Sequence, residues 1–385
     1  GVPVFQEQVM QIAMLAAGFT PGEADGLRRA MAAWKRKGGL EKYYHRLVDG
    51  MTSRGYALEF AEAIFEQVKG FSEYGFPESH AASFALLVYA SAWIKRHEPA
   101  AFLVALLNSQ PMGFYTPSQL VQDARRHGVE VRPVDVMHSR VESTLEDLPD
   151  TPAVRLGLHM VQGLQAPSAE RIVVERGKAP FDSAEELARR ARLEQHEMKL
   201  LAAAGALATL SGHRRQQVWD AAALHAPPEL LQDAPVDEAF LELPAAPEGE
   251  EVVWDFASVG LTLRSHPMAL LRPRLDRYKL QTSEELRRMP DGRTVRTAGI
   301  VTLRQQPGTA KGTVFVSLED EHGSTQVIVW KHVREAQRQV LLGGRLLAVK
   351  GRWQREGEVC NLIAHRLADL SSMLGRLATE SRDFK

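Results

Sequence analysis

The chain has 385 residues, 44% of them apolar, with 47 Lys or Arg against 48 Asp or Glu and a formal net charge of -1. That length is enough for about two to four domains with separate cores. The absence of an opening signal-peptide pattern, and of any apolar run near the roughly 18 residues that cross a bilayer, argues against a membrane protein and for a cytoplasmic one.

The single cysteine, Cys360, excludes an internal disulfide and a multi-cysteine zinc site, and reads as a small apolar residue in a strand. The chain opens on Gly1 rather than Met and enters at once on a helix-like pattern, which predicts a piece of a longer polypeptide. Residues 1–145 read as mostly helical. Val9, Ile12, Ala13, Ala16 and Ala17 recur at helical spacing, and Gly18-Phe19-Thr20-Pro21 is a stop and restart. Thr20 is placed to cap the new helix, with Glu23 at the capping-box position. Further helices are predicted over about 58–69, 79–95 and 99–108. The last is almost wholly apolar through Phe102, Leu103, Leu106 and Leu107 and reads as buried. A short amphipathic helix over 118–127 and a short strand over 129–133 complete this part.

Residues 151–225 contain two similar units of helix, tight turn and helix. Val161-Gln162-Gly163-Leu164 precedes the first unit's helix, and Ala204-Gly205-Ala206 follows the second's. A glycine hairpin of this kind leaves backbone N–H groups free at the start of the second helix, where they can hold a DNA phosphate. Gly163 and Gly205 are therefore candidate DNA contacts, the alternative being plain packing units. Residues 226–255 carry nine acidic residues and no Lys or Arg, with five prolines, and read as an acidic linker with little regular structure. Residues 256–385 carry 22 Lys or Arg against 13 Asp or Glu, so a near-neutral average conceals a basic part able to hold phosphate.

From about 292 to 367 the apolar period changes from 3.6 to 2. Strands are predicted from Val295, over 314–318, 326–330, 345–351 and 358–363, with a helix over 331–342 after the third. Three strands, a helix and two strands is the order of an OB-fold, which binds single strands on its second and third strands and adjoining loops. Trp353 beside Arg352 and Arg355 has the composition that stacks a base and holds its phosphate; the other reading of Trp353 is a core residue. The fold class is thus multidomain α+β, with a helical part, a tandem helix-hairpin-helix and an OB-fold barrel.

Candidate anion ligands in the helical part are Arg28 and Arg29, with Lys35, Arg36 and Lys37 just beyond. Fixed cations of this kind hold the charge of a phosphoryl group. His80 can donate to a phosphate, and Ser79 can cap the helix that starts there. Tyr89 and Trp93 read as core, and Lys95, Arg96 and His97 suit a helix C-terminus without any ligand. No Asp-x-Asp pair lies on a predicted strand, and Glu319-Asp320-Glu321 reads as a solvated turn, so no metal site is assigned.

Several ordered blocks resemble the bacterial C-family DNA polymerases of the alpha-subunit type. They are residues 4–10 (Val-Phe-Gln-Glu-Gln-Val-Met), 27–31 (Leu-Arg-Arg-Ala-Met), 75–85 (from Gly75-Phe76-Pro77 through Ser79-His80) and 93–97. Residues 81–84 and 107–115 look like the error-prone translesion branch. The resemblance implies that residues 1–145 are part of the polymerase fingers, with Arg28 and Arg29 facing the triphosphate. It further implies a helix-hairpin-helix pair over 146–225, an acidic linker and connecting segment over 226–290, an OB-fold over 291–370 and a tail over 371–385. The metal-binding aspartates and their Mg2+ would lie outside this stretch, leaving it inert alone. Implied partners are primer-template DNA, a dNTP, a Y-family-like accessory protein and a RecA-like accessory protein. Gln232-Asp233-Ala234-Pro235 lacks the aliphatic-aromatic finish of a clamp-binding peptide, so a sliding clamp is expected only indirectly. The rival from another class is a non-catalytic helix-hairpin-helix and OB-fold adaptor in DNA repair.

Overall fold

A computed structural model describes residues 3–37, 41–71, 77–113, 115–149, 151–223, 242–377 and 381–384, with the backbone alone for 32–37, 71, 309 and 382–384. The chain divides into two compact units, residues 1–98 and 99–385.

The first unit holds α1 (Gln6–Ala17), α2 (Pro21–Lys37), α3 (Tyr44–Thr52), α4 (Leu58–Phe71) and α5 (Glu78–His97). The stop and restart falls where the sequence places it. Thr20 Oγ1 accepts from Glu23 N at 3.3 Å, and Thr20 N donates to Glu23 Oε2 at 2.7 Å, which is the capping box. Arg46 from α3 then locks the junction. Its guanidinium donates to the Ala17 and Gly18 carbonyls at 3.1 and 2.9 Å, pairs with Glu23 at 3.1 Å and covers the Phe19 ring. Those carbonyls are the ones an α-helix leaves unpaired at its end. The core beneath is built from Val9, Ala13, Leu27, Leu47, Met51 and Phe65.

α5 departs from expectation. Its first turn is not capped by Ser79: Pro77 is the N-cap residue, and Glu78 N donates to Glu7 Oε2 at 2.8 Å. Tyr89 and Trp93, read as core, are 75% and 50% exposed, and no residue of α5 is buried.

The second unit begins with α6 (Pro99–Asn108) and α7 (Pro117–Arg126), followed by β1 (Val131–Arg132), β2 (Thr144–Glu146) and β3 (Ala153–Arg155) in the sheet order β1-β3-β2. Leu103 and Leu107 of α6 are buried as its composition predicts, whereas Phe102 and Leu106 are half-buried. Next come α8 (Ala166–Lys178), α9 (Ala184–Arg190), α10 (Gln195–Ala203), α11 (Ala208–Ser211) and α12 (Arg214–Ala223), packed with α6 and α7 over Leu156, Leu158, Ile172, Leu187, Met198 and Leu201.

The acidic linker is corrected in part. Residues 226–241, with Gln232-Asp233-Ala234-Pro235, lie outside the described residues, but α13 (Glu248–Ser258) is a regular helix. Two of its acids are neutralised by Arg214, which is buried, and by Arg264, which is exposed. Asp255 Oδ1 pairs with Arg214 Nη2, and Glu251 Oε2 lies 2.8 Å from Arg264 Nη2 and 3.5 Å from Arg214 Nη1. Arg214 is 6% exposed, so this cluster ties α12 to α13 through a desolvated pair.

α14 (Pro267–Leu275) and α15 (Ser283–Arg287) lead into the barrel: β4 (Thr294–Gln305), β5 (Val314–Asp320), β6 (Gly323–Val329), α16 (Lys331–Ala336), α17 (Arg338–Gly343), β7 (Leu346–Glu356) and β8 (Val359–Asp369). β4 pairs with β7 along its first half and with β5 along its second, the change falling at Ile300, which pairs with both, just before a bulge between Val301 and Leu303. β6 closes the circle by pairing parallel with β8 at Val327↔Leu362 and Ile328↔Ile363. This is the five-stranded OB-fold read from the sequence, with β9 (Arg382–Phe384) added parallel to β4. The single helix expected over 331–342 is two. It breaks at Gln337, whose side chain accepts from Leu367 N at 2.8 Å and donates to the His365 carbonyl, serving a bulge in β8.

Glu319-Asp320-Glu321 is not a solvated turn. Asp320 is 3% exposed and accepts from Ser283 N and Oγ at 2.6 Å each, which holds the start of α15 against the β5–β6 turn. Glu321 meets Arg272 in a bidentate pair at 2.6 and 2.7 Å. Burial raises that carboxyl, and the guanidinium outweighs the burial, holding it below its ordinary range.

Candidate nucleic-acid interface

In the first unit the structure joins Arg28 and Arg29 at one carboxylate. Arg28 Nη2 lies 2.8 Å from Asp25 Oδ1, and Arg29 Nη2 lies 2.9 Å from Asp25 Oδ2. The hydrogen bond from Arg28 lowers the Asp25 pKa, so the carboxylate stays charged and holds both guanidinium groups on one helix face. Arg29 keeps 70% of its side chain exposed, Arg28 37%. An incoming phosphate would exchange with an existing anion rather than meet bare cations. Lys35, Arg36 and Lys37 continue the same helix, and their side chains lie outside the described residues, as do Gly75 and Phe76. His80 stands exposed in the first turn of α5 with its ring 4.3 Å from that of Phe84. Among the described residues, no hydrogen bond or ion pair joins it to Arg28 or Arg29.

The two glycine hairpins of the second unit differ. Gly163 has φ +86, and a Cβ there would come 3.2 Å from Leu200 Cδ1, so both conformation and space call for glycine. The hairpin residues beside it are exposed, and no side chain caps α8 at Gln165. Pro167 has no N–H and Ser168 N donates to the Gln165 carbonyl at 3.1 Å, so the backbone amides left for a phosphate among the described residues are those of Gly163, Gln165 and Ala166. At Gly205 the expectation is corrected. Leu207 N donates to Gln217 Oε1 at 3.1 Å, Thr209 N donates to Asp135 Oδ2 at 3.3 Å, and Thr209 Oγ1 donates to the same oxygen at 2.7 Å. A buried carboxylate occupies the place a phosphate would take, and Leu207 itself is buried. The second hairpin is a packing turn.

On the barrel, Trp353 is also corrected. Its side chain is 2% exposed among Val295, Val349 and Leu362, and its Nε1 has no hydrogen-bond partner among the described residues, so the ring offers no face to a base. Alternation along β7 explains this: Val349, Gly351 and Trp353 point inward, while Lys350 and Arg352 point out. Arg352 is exposed on the outer face opposite Thr294 and Ile363. Arg355 lies at the β7–β8 turn, where its Nη1 donates to the Arg287 carbonyl at 3.0 Å and its amide to Asp291 at 2.8 Å.

The stacking surface missing at Trp353 is present elsewhere. Phe315 on β5 pairs across to Ile328 on β6, and Trp330 follows two residues on; the aromatics are 36% and 46% exposed. Val314, Val316 and Leu318 face inward, so Phe315 must face out, and that alternation is legible in the sequence. The neighbouring outward pairs, Ser317↔Gln326 and Glu319↔Ser324, carry no cation. Among the described residues no group of three or more His, Cys, Asp or Glu side chains is placed to hold a metal ion, so no step is derived through one. No helix among them is long and apolar enough to cross a membrane.

Comparison with known proteins matches residues 1–55 to the bacterial DNA polymerase III alpha subunit finger domain, 128–217 to the helix-hairpin-helix motif and 295–370 to an OB-fold nucleic acid binding domain. An error-prone DNA polymerase of Azoarcus sp. is 57% identical over the whole chain, which covers 37% of that relative. Those of Burkholderia pseudomallei and Alkalilimnicola ehrlichii are 58% and 55% identical over the whole chain, which covers 36% and 38% of them. Among solved structures, asparaginyl-tRNA synthetase from Pyrococcus horikoshii matches 23% of the chain and 22% of its own at 24% identity, with a TM-score of 0.20. Over its whole length the chain is similar to proteins named error-prone DNA polymerase, and it spans little more than a third of the length of those relatives.

Proposed function

We propose that these residues are the nucleotide- and DNA-gripping part of an error-prone, DNA-directed DNA polymerase that acts in translesion synthesis and damage-induced mutagenesis. The observation that carries this reading is the 57% identity over the entire chain to relatives of that name. The chemistry is nucleotidyl transfer. Mg2+, held by carboxylates outside these residues, would supply the charge stabilisation that nucleotidyl transfer needs. The present residues bind and orient. Arg28 and Arg29, held on one helix face by Asp25, turn to the triphosphate, whose charge of about four is only partly balanced by metal. Lys35, Arg36 and Lys37 extend that cationic helix, and His80 donates to a phosphate oxygen.

Duplex DNA rests on the Gly163 hairpin through the amides that open α8. A single strand crosses β5 and β6, stacking on Phe315 and Trp330, with Arg352 and Arg355 at the flank. Residues 1–145 are assigned to the fingers, 146–225 to the helix-hairpin-helix region, 226–290 to the connecting segment, 291–370 to the OB-fold and 371–385 to the tail. The protein works in the cytoplasm with a Y-family-like and a RecA-like accessory protein, and meets a sliding clamp only indirectly.

Arg28→Ala in the complete polymerase tests the assignment. Single-nucleotide incorporation should fall by about tenfold or more, as expected when a charge contact made to the reacting phosphoryl group is lost, with primer-template affinity unchanged. Equal loss of both would refute the role given to Arg28 and favour a simple DNA-binding adaptor.

A further inference from the structure

The barrel carries a charged feature on β4, β7 and β8, the strands that flank and close the β5–β6 face. Arg296 on β4 is in direct register with Lys350 on β7, and Lys350 is in direct register with Arg366 on β8. All three side chains are exposed. On β4 and β7 the flanking residues Val295, Thr297, Val349 and Gly351 are buried, and on β8 Leu367 is buried while His365 is the exposed residue of a bulge, which puts the three cations on one outer face. Among the described residues none of the three has a carboxylate partner, whereas Arg272 and Arg214 elsewhere in the unit do. Like charges directly opposite one another on neighbouring strands destabilise a sheet. A row of three is therefore a standing cost to the barrel that an external polyanion would remove.

We propose that the Arg296–Lys350–Arg366 row is a binding track for the sugar-phosphate backbone of one nucleic-acid strand, separate from the β5–β6 stacking face. Neighbouring strands lie about 4.8 Å apart, so the row spans roughly 10 Å at the backbone. Flexible side chains widen that span, and two to three successive phosphates of an extended strand fit it. Arg352 stands one outward position further along β7, beside Thr294 and Ile363, and extends the track. The stacking face holds bases and carries no cation between β5 and β6; the opposite arrangement holds here, where there are cations and no exposed aromatic. The two surfaces therefore contact different parts of a nucleic acid, and a strand leaving the stacking face can continue over the β7–β8 edge to the row.

This inference rests on the proposal that the chain binds DNA, and one experiment separates the two. The whole 385-residue chain is prepared with Arg296→Thr, Lys350→Thr and Arg366→Thr together, Thr being a good strand former. A control set, Arg274→Gln, Arg277→Gln and Arg338→Gln, removes the same charge from exposed positions elsewhere in the second unit. Binding of labelled oligothymidine is titrated over a range of salt, and thermal unfolding is recorded for each protein. The row variant should melt at or above the parent temperature. Its slope of log affinity against log salt should fall by about two, at roughly 0.7 per phosphate contact on a single strand, which is about a hundredfold in affinity at 0.1 M. The control should change neither by more than about a third of that. An unchanged slope in the row variant, an equal fall in the control, or a lowered melting temperature that accounts for the loss each overturns the track. If the parent chain fails to bind any oligonucleotide, the DNA-binding proposal itself fails.

Discussion

Phe315→Ala and Trp353→Phe separate base stacking from barrel packing. Phe315 is 36% exposed opposite Ile328, while Trp353 is 2% exposed. Stacking one base on an aromatic ring contributes about 1–3 kcal/mol, so Phe315→Ala should weaken oligothymidine binding roughly 5- to 150-fold. About two thirds of the Phe315 surface is already out of water, so the same change costs the barrel about 1–2 kcal/mol. Trp353→Phe should show the reverse. It removes an indole N–H that has no partner among the described residues, together with part of a buried ring, two effects of opposite sign. The net change in stability is expected within about 2 kcal/mol, with affinity unaltered. Fluorescence anisotropy at fixed salt reads the affinity and urea denaturation reads the stability. The reasoning is refuted if Trp353→Phe lowers affinity by about tenfold at unchanged stability, or if Phe315→Ala leaves affinity within about twofold of the parent.

Other perturbations test the supports of the site. Asp255→Ala removes the main partner of Arg214, which is 6% exposed, and should cost about 3–5 kcal/mol in urea unfolding, less whatever Glu251 recovers. A loss below about 1 kcal/mol would mean that the α12–α13 tie is unimportant. Gly163→Val forces a β-branched residue to φ +86 beside Leu200. It should destabilise the hairpin by about 1–3 kcal/mol and weaken duplex binding while sparing oligothymidine binding, and a parallel loss of both would count against the hairpin's role. The hydrogen bonds Glu23 receives from Arg46 and Thr20 lower its pKa to about 2. The folded value lies below the unfolded one, so this contribution is complete above about pH 4.5 and disappears as pH falls toward 2. Circular dichroism of the chain between pH 5 and pH 2 should show helix loss that Arg46→Gln makes less dependent on pH.

Much of the barrel was legible because period-2 alternation is a direct imprint of one face in and one face out. Val314, Val316 and Leu318 state it plainly, and so do Val327 and Val329. The same rule, applied one residue at a time, would have sent Trp353 inward and Phe315 outward. Composition around Trp353, with Arg352 and Arg355 beside it, outweighed its phase in the strand. The error at Gly205 is of another kind. A glycine turn announces its backbone shape, but whether its amides are free depends on Asp135 and Gln217, about 70 residues before and 10 residues after the turn. Ion pairs that make α13 a packed helix rather than a linker are equally non-local: Glu251 and Asp255 need Arg214 and Arg264 to be buried at all.

α5 shows where sequence pattern and local structure part most sharply. Phe84, Leu86, Leu87, Val88, Tyr89 and Trp93 are each half or more exposed, and they lie around the helix rather than along one stripe. A helix apolar on all sides is one that is covered on all sides when the protein is assembled. A helix serving only the core of the first unit would carry a polar outer face, as the Arg28 and Arg29 side of α2 does. The pattern of α5 therefore encodes contacts that the described residues of its own unit do not supply. His80 lies in its first turn with its ring against Phe84, so whatever covers α5 also fixes where the His80 ring points.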